Sequence, residues 1–246
     1  MVKLKCTVTY DGTNFSGYQI QPNKRTVQGT IETVLKKIHK GLEVKIVASG
    51  RTDAGVHAHE QVFHFVTKLN IPSANWKKAL NSLLPDDIYI RKVEQVSADF
   101  HARYDVKRKE YRYKLLVDKE QDVFRRHYTY HVPMPLNKEA MEEAAKVFIG
   151  EHDFTSLCAT NTSVVDKVRT IYKLSIIEDS NHEWVIQVIG SGFLYQMVRI
   201  IVGTLLDVGK GKLTPKDVTD IIEKKDRSYA SQTAPPQGLT MWKVTY

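Results

Sequence analysis

Gly50-Arg51-Thr52-Asp53-Ala54-Gly55-Val56-His57-Ala58-His59-Glu60 is the stretch whose reading decides this chain. It follows a strand-like run, Glu43 to Ala48, and precedes an apolar run, Val62 to Val66, so a Gly-framed loop between two strands is expected. Glycine permits the tight, positive-φ turns that let a backbone close on a ligand. The loop holds one carboxylate, Asp53, with Arg51 two residues away. Arg51 is placed to favour the charged form of Asp53 or to grip a phosphate. A single carboxylate with no second acid in the loop suits nucleophilic or base chemistry better than a metal cage. An Asp beside glycines is also an ordinary turn residue or helix cap, and composition alone leaves that reading open.

Working outward, Lys3 to Tyr10 alternates polar and apolar residues as a half-buried strand does, and Asp11-Gly12-Thr13-Asn14 reads as a turn. Val27, Ile31, Val34, Leu35 and Ile38 recur at helical spacing within Thr26 to His39, with Thr26 as cap and Gly41 as stop. Ala74 to Leu84 reads as a helix stopped by Pro85. Ile88 to Val96 and Lys109 to Val117 read as strands. Asp118 to Pro135 is irregular, carries Arg125 and Arg126, and looks like the crossing between two halves. A helix from Leu136 to Phe148 is capped by Asn137. Strands at Val168 to Glu178 and Glu183 to Ile189 follow, then a helix from Phe193 to Val208 closed by Gly209. Thr214-Pro215 starts a helix that runs to Lys224, and Leu239 to Tyr246 is a closing strand. The expected class is α+β, with two halves, 1–105 and 106–246.

The 246 residues include 36 Lys and Arg against 28 Asp and Glu, a net charge of +8. That excess favours a polyanionic partner, nucleic acid or an anionic membrane surface. It is concentrated in Lys107, Arg108, Lys109, Arg112 and Lys114, against the one acid Glu110. The interleaved Tyr104, Tyr111 and Tyr113 point to RNA, whose binders pair phosphate-tracking cations with aromatic surfaces for bases. Tyr111 and Tyr113 lie two apart on a strand and share a face, with Arg112 and Lys114 on the other. Cys6 and Cys158 make neither a disulfide framework nor metal-ligand spacing, which fits a reducing, cytoplasmic setting. Lys3 and Lys5 interrupt the first apolar run, so no signal-peptide core is expected. Trp184 to Val198, broken by Gly190 and Gly192, is too short to span a bilayer.

Two further features carry chemistry. Arg199 is the one charge in Phe193 to Leu206, on a helix otherwise suited to burial, and a buried charge requires a partner. A guanidinium snorkelling from the helix edge fits the same pattern. His57 and His59 lie on one face of an extended segment close to Asp53, Glu60 and His64. That arrangement admits a metal-dependent hydrolase as a rival reading. A non-catalytic RNA-binding module is a second rival, one that leaves the Asp53 loop unexplained.

Gly50-Arg51-Thr52-Asp53-Ala54-Gly55-Val56-His57-Ala58 resembles the signature of the tRNA pseudouridine synthase A family, and the resemblance runs nearly end to end. It continues through Tyr10-Asp11-Gly12-Thr13-Asn14-Phe15-Ser16-Gly17-Tyr18-Gln19 and Arg25-Thr26-Val27-Gln28-Gly29. Phe100-His101-Ala102-Arg103-Tyr104 with Lys109-Glu110-Tyr111-Arg112-Tyr113 comes next, then Phe148 to Phe154, Gly192 to Arg199 and Ala234 to Leu239. Tyr18 stands where the family more often has tryptophan, which bears on packing or an RNA contact near that loop. The resemblance implies two similar α/β halves joined into one continuous, mostly antiparallel mixed sheet with helices on one side, the second half completing the catalytic cleft that the Asp53 loop begins, and a homodimer. It implies isomerisation of uridine to pseudouridine at positions 38, 39 and 40 of the tRNA anticodon stem-loop, with no metal and no cofactor. Asp53 is then the catalytic nucleophile and Arg199 its partner. Tyr111 stacks on the uracil, Leu239 forms an apolar wall and Arg51 contacts RNA. Whether Asp53 attacks ribose C1′, adds to the ring or takes the 2′ proton stays open at this level.

Overall fold

A computed structural model describes residues 1–178 and 182–246. In chain order the first elements are β1 (Val2–Tyr10), α1 (Val27–Ile38), β2 (Val47–Ala48), β3 (His57–Thr67), α2 (Ser73–Asn81), β4 (Ile88–Val96) and β5 (Arg108–Val117). There follow β6 (Tyr130–Val132), α3 (Lys138–Val147), β7 (Gly150–Asp153), β8 (Val168–Glu178) and β9 (Glu183–Gly190). Helices α4 (Met197–Gly209) and α5 (Pro215–Lys224) and strand β10 (Leu239–Thr245) complete the chain. Strands and helices intermix as an α+β protein, and most strand pairs within each unit are antiparallel.

The chain divides into two compact units, Met1–Lys107 with Thr240–Tyr246, and Arg108–Leu239. The expected second half, 106–246, therefore gives up its closing strand. β10 runs parallel to β3, with Thr240 opposite His57 and Met241 opposite Ala58, and this ladder places it in the first unit. The segment 118–135 lies inside the second unit and is not the crossing between halves. Its Tyr130–Val132 pairs parallel with Leu115–Val117, a ladder too short to show in the local pattern.

In the first unit the strand order is β4-β1-β3-β10, with β2 on β3. The alternation of β1 becomes one buried face of Leu4, Cys6, Val8 and Tyr10, each at most 4% exposed. Their partners across the ladder are residues such as Phe63 and Phe65. Burying each large apolar side chain contributes about 1.5–3 kcal/mol. Helix α1 begins where Thr26 accepts the Gly29 N–H, and its C-terminal His39 reaches Thr67 Oγ1 at 2.8 Å, tying the helix to β3. The strand expected over Glu43 to Ala48 shrinks to two residues. Ile46 N–H goes to the buried Glu32 carboxylate of α1 at 3.1 Å, and Lys45 joins it at 3.1 Å, so a helix side chain replaces ladder partners. Helix α2 ends at Asn81, earlier than expected. The Asn81 side chain takes both the N–H and the carbonyl of Ile90 on β4.

In the second unit the order is β5-β9-β8-β7, with β6 on β5. β7 was not expected from the local pattern; its four residues are held by pairing with Val168–Ile171 of β8. Asn137 caps α3 by accepting the Ala140 N–H at 2.9 Å. Thr214 and Asp217 form a reciprocal capping box on α5, with Pro215 in its first turn. Helix α4 starts at Met197 instead of Phe193 because Gln196 sits at φ 60°, outside the right-handed helical region. Among the described residues no helix is long and apolar enough to cross a membrane.

Candidate active site

The Asp53 loop is held from three sides by its own unit. At its entrance Ser49 N–H donates to the Val62 carbonyl at 2.8 Å, and the Ser49 hydroxyl meets Gln61 Oε1. Gln61, fully buried on β3, donates from Nε2 to the Gly50 carbonyl at 3.0 Å. In the middle, buried Thr52 is 2.8 Å from the Tyr10 hydroxyl, and its carbonyl accepts the Tyr18 N–H at 3.0 Å. At the exit Gly55, at φ 76°, donates to the Phe15 carbonyl, and Val56 N–H closes a turn onto the Asp53 carbonyl at 3.2 Å.

The segment 11–18 after β1 is thus the bed on which the loop lies. The turn at Asp11 to Asn14 is legible in the sequence, but its support of the Asp53 loop is not. Gly17, at φ 96°, packs its α-carbon against Thr52 to Ala54, where an added Cβ would stand 3.1 Å from the Thr52 carbonyl oxygen. Tyr18, 2% exposed and tilted against Tyr10, fills the core beneath, so its departure from the family pattern is a matter of packing. Its hydroxyl is buried with no hydrogen-bond partner among the described residues, and burial drives its pKa well up. Asp53 itself is half-buried between buried Thr52 and exposed Ala54, and Arg51 is exposed. Such a frame fixes a carboxylate at a surface a substrate can reach.

The imidazoles of the rival metal reading are engaged elsewhere. His57 Nδ1 accepts the Gly12 N–H at 2.9 Å, and Arg91 lies 2.7 Å from His59 Nε2 while the His59 ring stacks on Trp242 at 4.3 Å. Among the described residues no three His, Cys, Asp or Glu side chains come together as a metal site would require.

The other expected site residues stand on the second unit. Arg199, half-buried on α4, donates from Nε to the Ala234 carbonyl at 2.7 Å, and Ala234 N–H returns a bond to the Arg199 carbonyl at 3.1 Å. The neighbouring Pro235 carbonyl accepts the Tyr113 hydroxyl at 2.8 Å. Tyr113 is fully buried; burial raises its hydroxyl pKa, opposed by the nearby Arg199 charge. The Tyr113 ring lies against Gly238, where a Cβ would sit 2.7 Å from it. Leu239 follows at 5% exposure. The segment 234–239 thus ties Arg199 of α4 to Tyr113 of β5, with Leu239 at its end, a link the bare sequence did not reveal. Tyr111, 8% exposed, meets the Phe193 ring edge-on at 5.2 Å.

The cation cluster changes character in the fold. Arg112 is bonded to Glu110 at 2.8 Å and Lys114 to Glu183 at 2.6 Å, so two of the five cations are committed to acids of their own unit. Lys107 and Arg108 remain exposed, Arg108 lying 5.2 Å over the Tyr172 ring. With Tyr111 and Tyr113 buried, Tyr104 is the tyrosine of that group left at the surface, 75% exposed.

Comparison with known proteins places this geometry in context. A family model described as tRNA pseudouridine synthase matches residues 7–105 and 144–246. A protein of Geobacillus sp. (strain WCH70), named tRNA pseudouridine synthase A, is 55% identical over 245 residues, covering 99% of this chain and 98% of that protein. One of Bacillus cereus (strain ATCC 14579), named tRNA pseudouridine synthase A 1, is 54% identical over 100% of this chain and 99% of its own length. One of Bacillus licheniformis, named tRNA pseudouridine synthase A, is 52% identical over the same shares.

Proposed function

Since this chain belongs to the tRNA pseudouridine synthase family, we propose that it isomerises uridine at positions 38, 39 and 40 of the tRNA anticodon stem-loop, with Asp53 as nucleophile. It is an enzyme, an RNA-modifying isomerase. The reaction breaks the bond from ribose C1′ to uracil N1, turns the base while it stays bound, and rejoins it through C5. Substrate and product are isomers, so the atoms balance without a redox carrier or an external group. Asp53 supplies the nucleophilic carboxylate, carried on a loop that is bedded on residues 11–18.

Arg199, whose Nε bonds to the Ala234 carbonyl within its own unit, is the counter-charge of Asp53 in this reading. Tyr111 stacks against the uracil and Leu239 walls the slot, offsetting part of the cost of taking the base out of its helical stack. Exposed Arg51 grips a backbone phosphate and helps hold the nucleotide out. The enzyme works as a homodimer in the cytoplasm.

The observation that carries the reading is the Asp53 loop, a stretch that resembles a family signature, held from three sides with Asp53 half-buried. The test is to incubate the purified protein with tRNA transcripts that keep uridine at one of positions 38, 39 or 40 and to map pseudouridine by base. Modification at each of the three is expected. Transcripts left unmodified, or modified only outside the anticodon stem-loop, would overturn the assignment.

A further inference from the structure

The turn Phe100 to Asp105 presents an aromatic ring to solvent from a fully braced backbone, and the Asp53 chemistry makes no use of it. Ala102, 0% exposed, is clamped from both sides: its N–H donates to His64 Nδ1 at 3.1 Å, and its carbonyl accepts the Tyr246 hydroxyl at 2.7 Å. Lys3 adds a bond to the Phe100 carbonyl at 2.9 Å. His101 Nδ1 faces the N–H groups of Arg103 and Tyr104, each at 3.2 Å, and His101 N–H donates to Asp105 at 2.8 Å. On this base the Tyr104 ring lies over the His101 imidazole, centroids 4.2 Å apart and planes 24° from parallel, and is 75% exposed. The Arg103 guanidinium stands 5.9 Å from the same ring.

A large ring held open to water, stacked on one face and flanked by a cation, loses little freedom when a second ring is laid on it. RNA-binding surfaces use that arrangement for unpaired bases: aromatic stacking for the base and a guanidinium for the adjoining phosphate. We propose that Tyr104, preorganised by His101 and partnered by Arg103, is a stacking platform for an unpaired nucleobase of the tRNA at a point other than the uridine being isomerised. The proposal rests on the tRNA reading above. The platform holds the tRNA in register, and its contribution appears in affinity.

The experiment uses the full-length protein and an unmodified tRNA transcript. Dissociation constants come from fluorescence anisotropy, and kcat and KM from pseudouridine formation. Tyr104→Ala is expected to raise Kd by roughly 5- to 150-fold, the range for losing one base–aromatic stack, with the loss carried by KM and not by kcat. Tyr104→Phe and Tyr104→Trp, which keep the ring, should restore affinity to within about twofold of the parent. Abasic substitutions scanned through the unpaired nucleotides should reveal one site that weakens the parent and leaves Tyr104→Ala unchanged. Overturning results are a Kd for Tyr104→Ala within about twofold of the parent, a loss confined to kcat, or dimer dissociation at unchanged tRNA affinity. A parent that binds tRNA through Tyr104 but forms no pseudouridine would refute the catalytic reading alone and leave the platform standing.

Discussion

Gly12 lies so close to Val56 that a Cβ on Gly12 would stand 2.1 Å from the Val56 carbonyl oxygen. Val56 closes the turn that carries Asp53, so the absence of a side chain at Gly12 sets where the loop can sit. Gly12→Ala should push the loop off its bed. Overpacking of this kind costs about 1–3 kcal/mol, to be read as a lower urea midpoint at unchanged m-value. A fall in kcat larger than the loss of stability explains should accompany it. An unchanged midpoint would mean that the two segments yield more easily than their contact implies.

Asp53→Asn tests the nucleophile directly. Pseudouridine formation should disappear while the fold and tRNA affinity survive, because the missing interaction belongs to the transition state. Residual activity within about tenfold of the parent, a barrier change of only ~1.4 kcal/mol, would remove Asp53 from that role. Arg199 gives the companion measurement. Arg199→Ala should damage kcat strongly, and Arg199→Lys should fall between, since it keeps the charge but loses the planar fork and the Nε bond to Ala234. Equal rates for the two variants would show that charge alone is not what Arg199 supplies.

His64 ties stability to pH. Burial, with the nearby Lys3 and His101 charges, lowers its pKa from the ordinary 6.5 to about 4, against a small opposing effect of Asp105. The buried ring is neutral and accepts the Ala102 N–H. On acidification the unfolded chain takes up this proton first, so the contribution is present above about pH 6.5 and is lost as pH falls toward about 4. It amounts to at most roughly 3 kcal/mol. His64→Gln keeps an acceptor for Ala102 and removes the titration. Its urea midpoint should therefore vary less across that window than the parent's, and parallel curves would contradict the assignment.

Salt dependence tests which cations meet RNA. Phosphate-directed cations release counterions, so log affinity falls with log salt by about 0.7–0.9 per contact. Lys107→Ala with Arg108→Ala, both exposed, should flatten that slope and weaken cognate tRNAs by a similar factor. Arg112→Ala with Lys114→Ala should change it less, because Glu110 and Glu183 already engage those side chains. The reverse order would show that the acid pairs open on binding.

What sequence alone determined here is what near neighbours in the chain decide. The period-2 run of β1, the caps at Thr26, Asn137 and Thr214, and the Gly-framed Asp53 loop each rest on residues a few positions apart. Tertiary structure decided what depends on distant partners. Glu32 captures Ile46 and shortens β2, while β7 exists through its ladder with β8. The closing strand joins the first unit because β3 offers it a parallel edge. The tyrosines read as one aromatic group separate in the same way. Tyr111 and Tyr113 are buried in the second unit, while the turn that carries Tyr104 is braced at Ala102 by His64 and Tyr246, 38 and 144 positions from Ala102 in the chain. A local pattern records which face of an element is apolar, but burial and pairing depend on which remote group arrives to cover it.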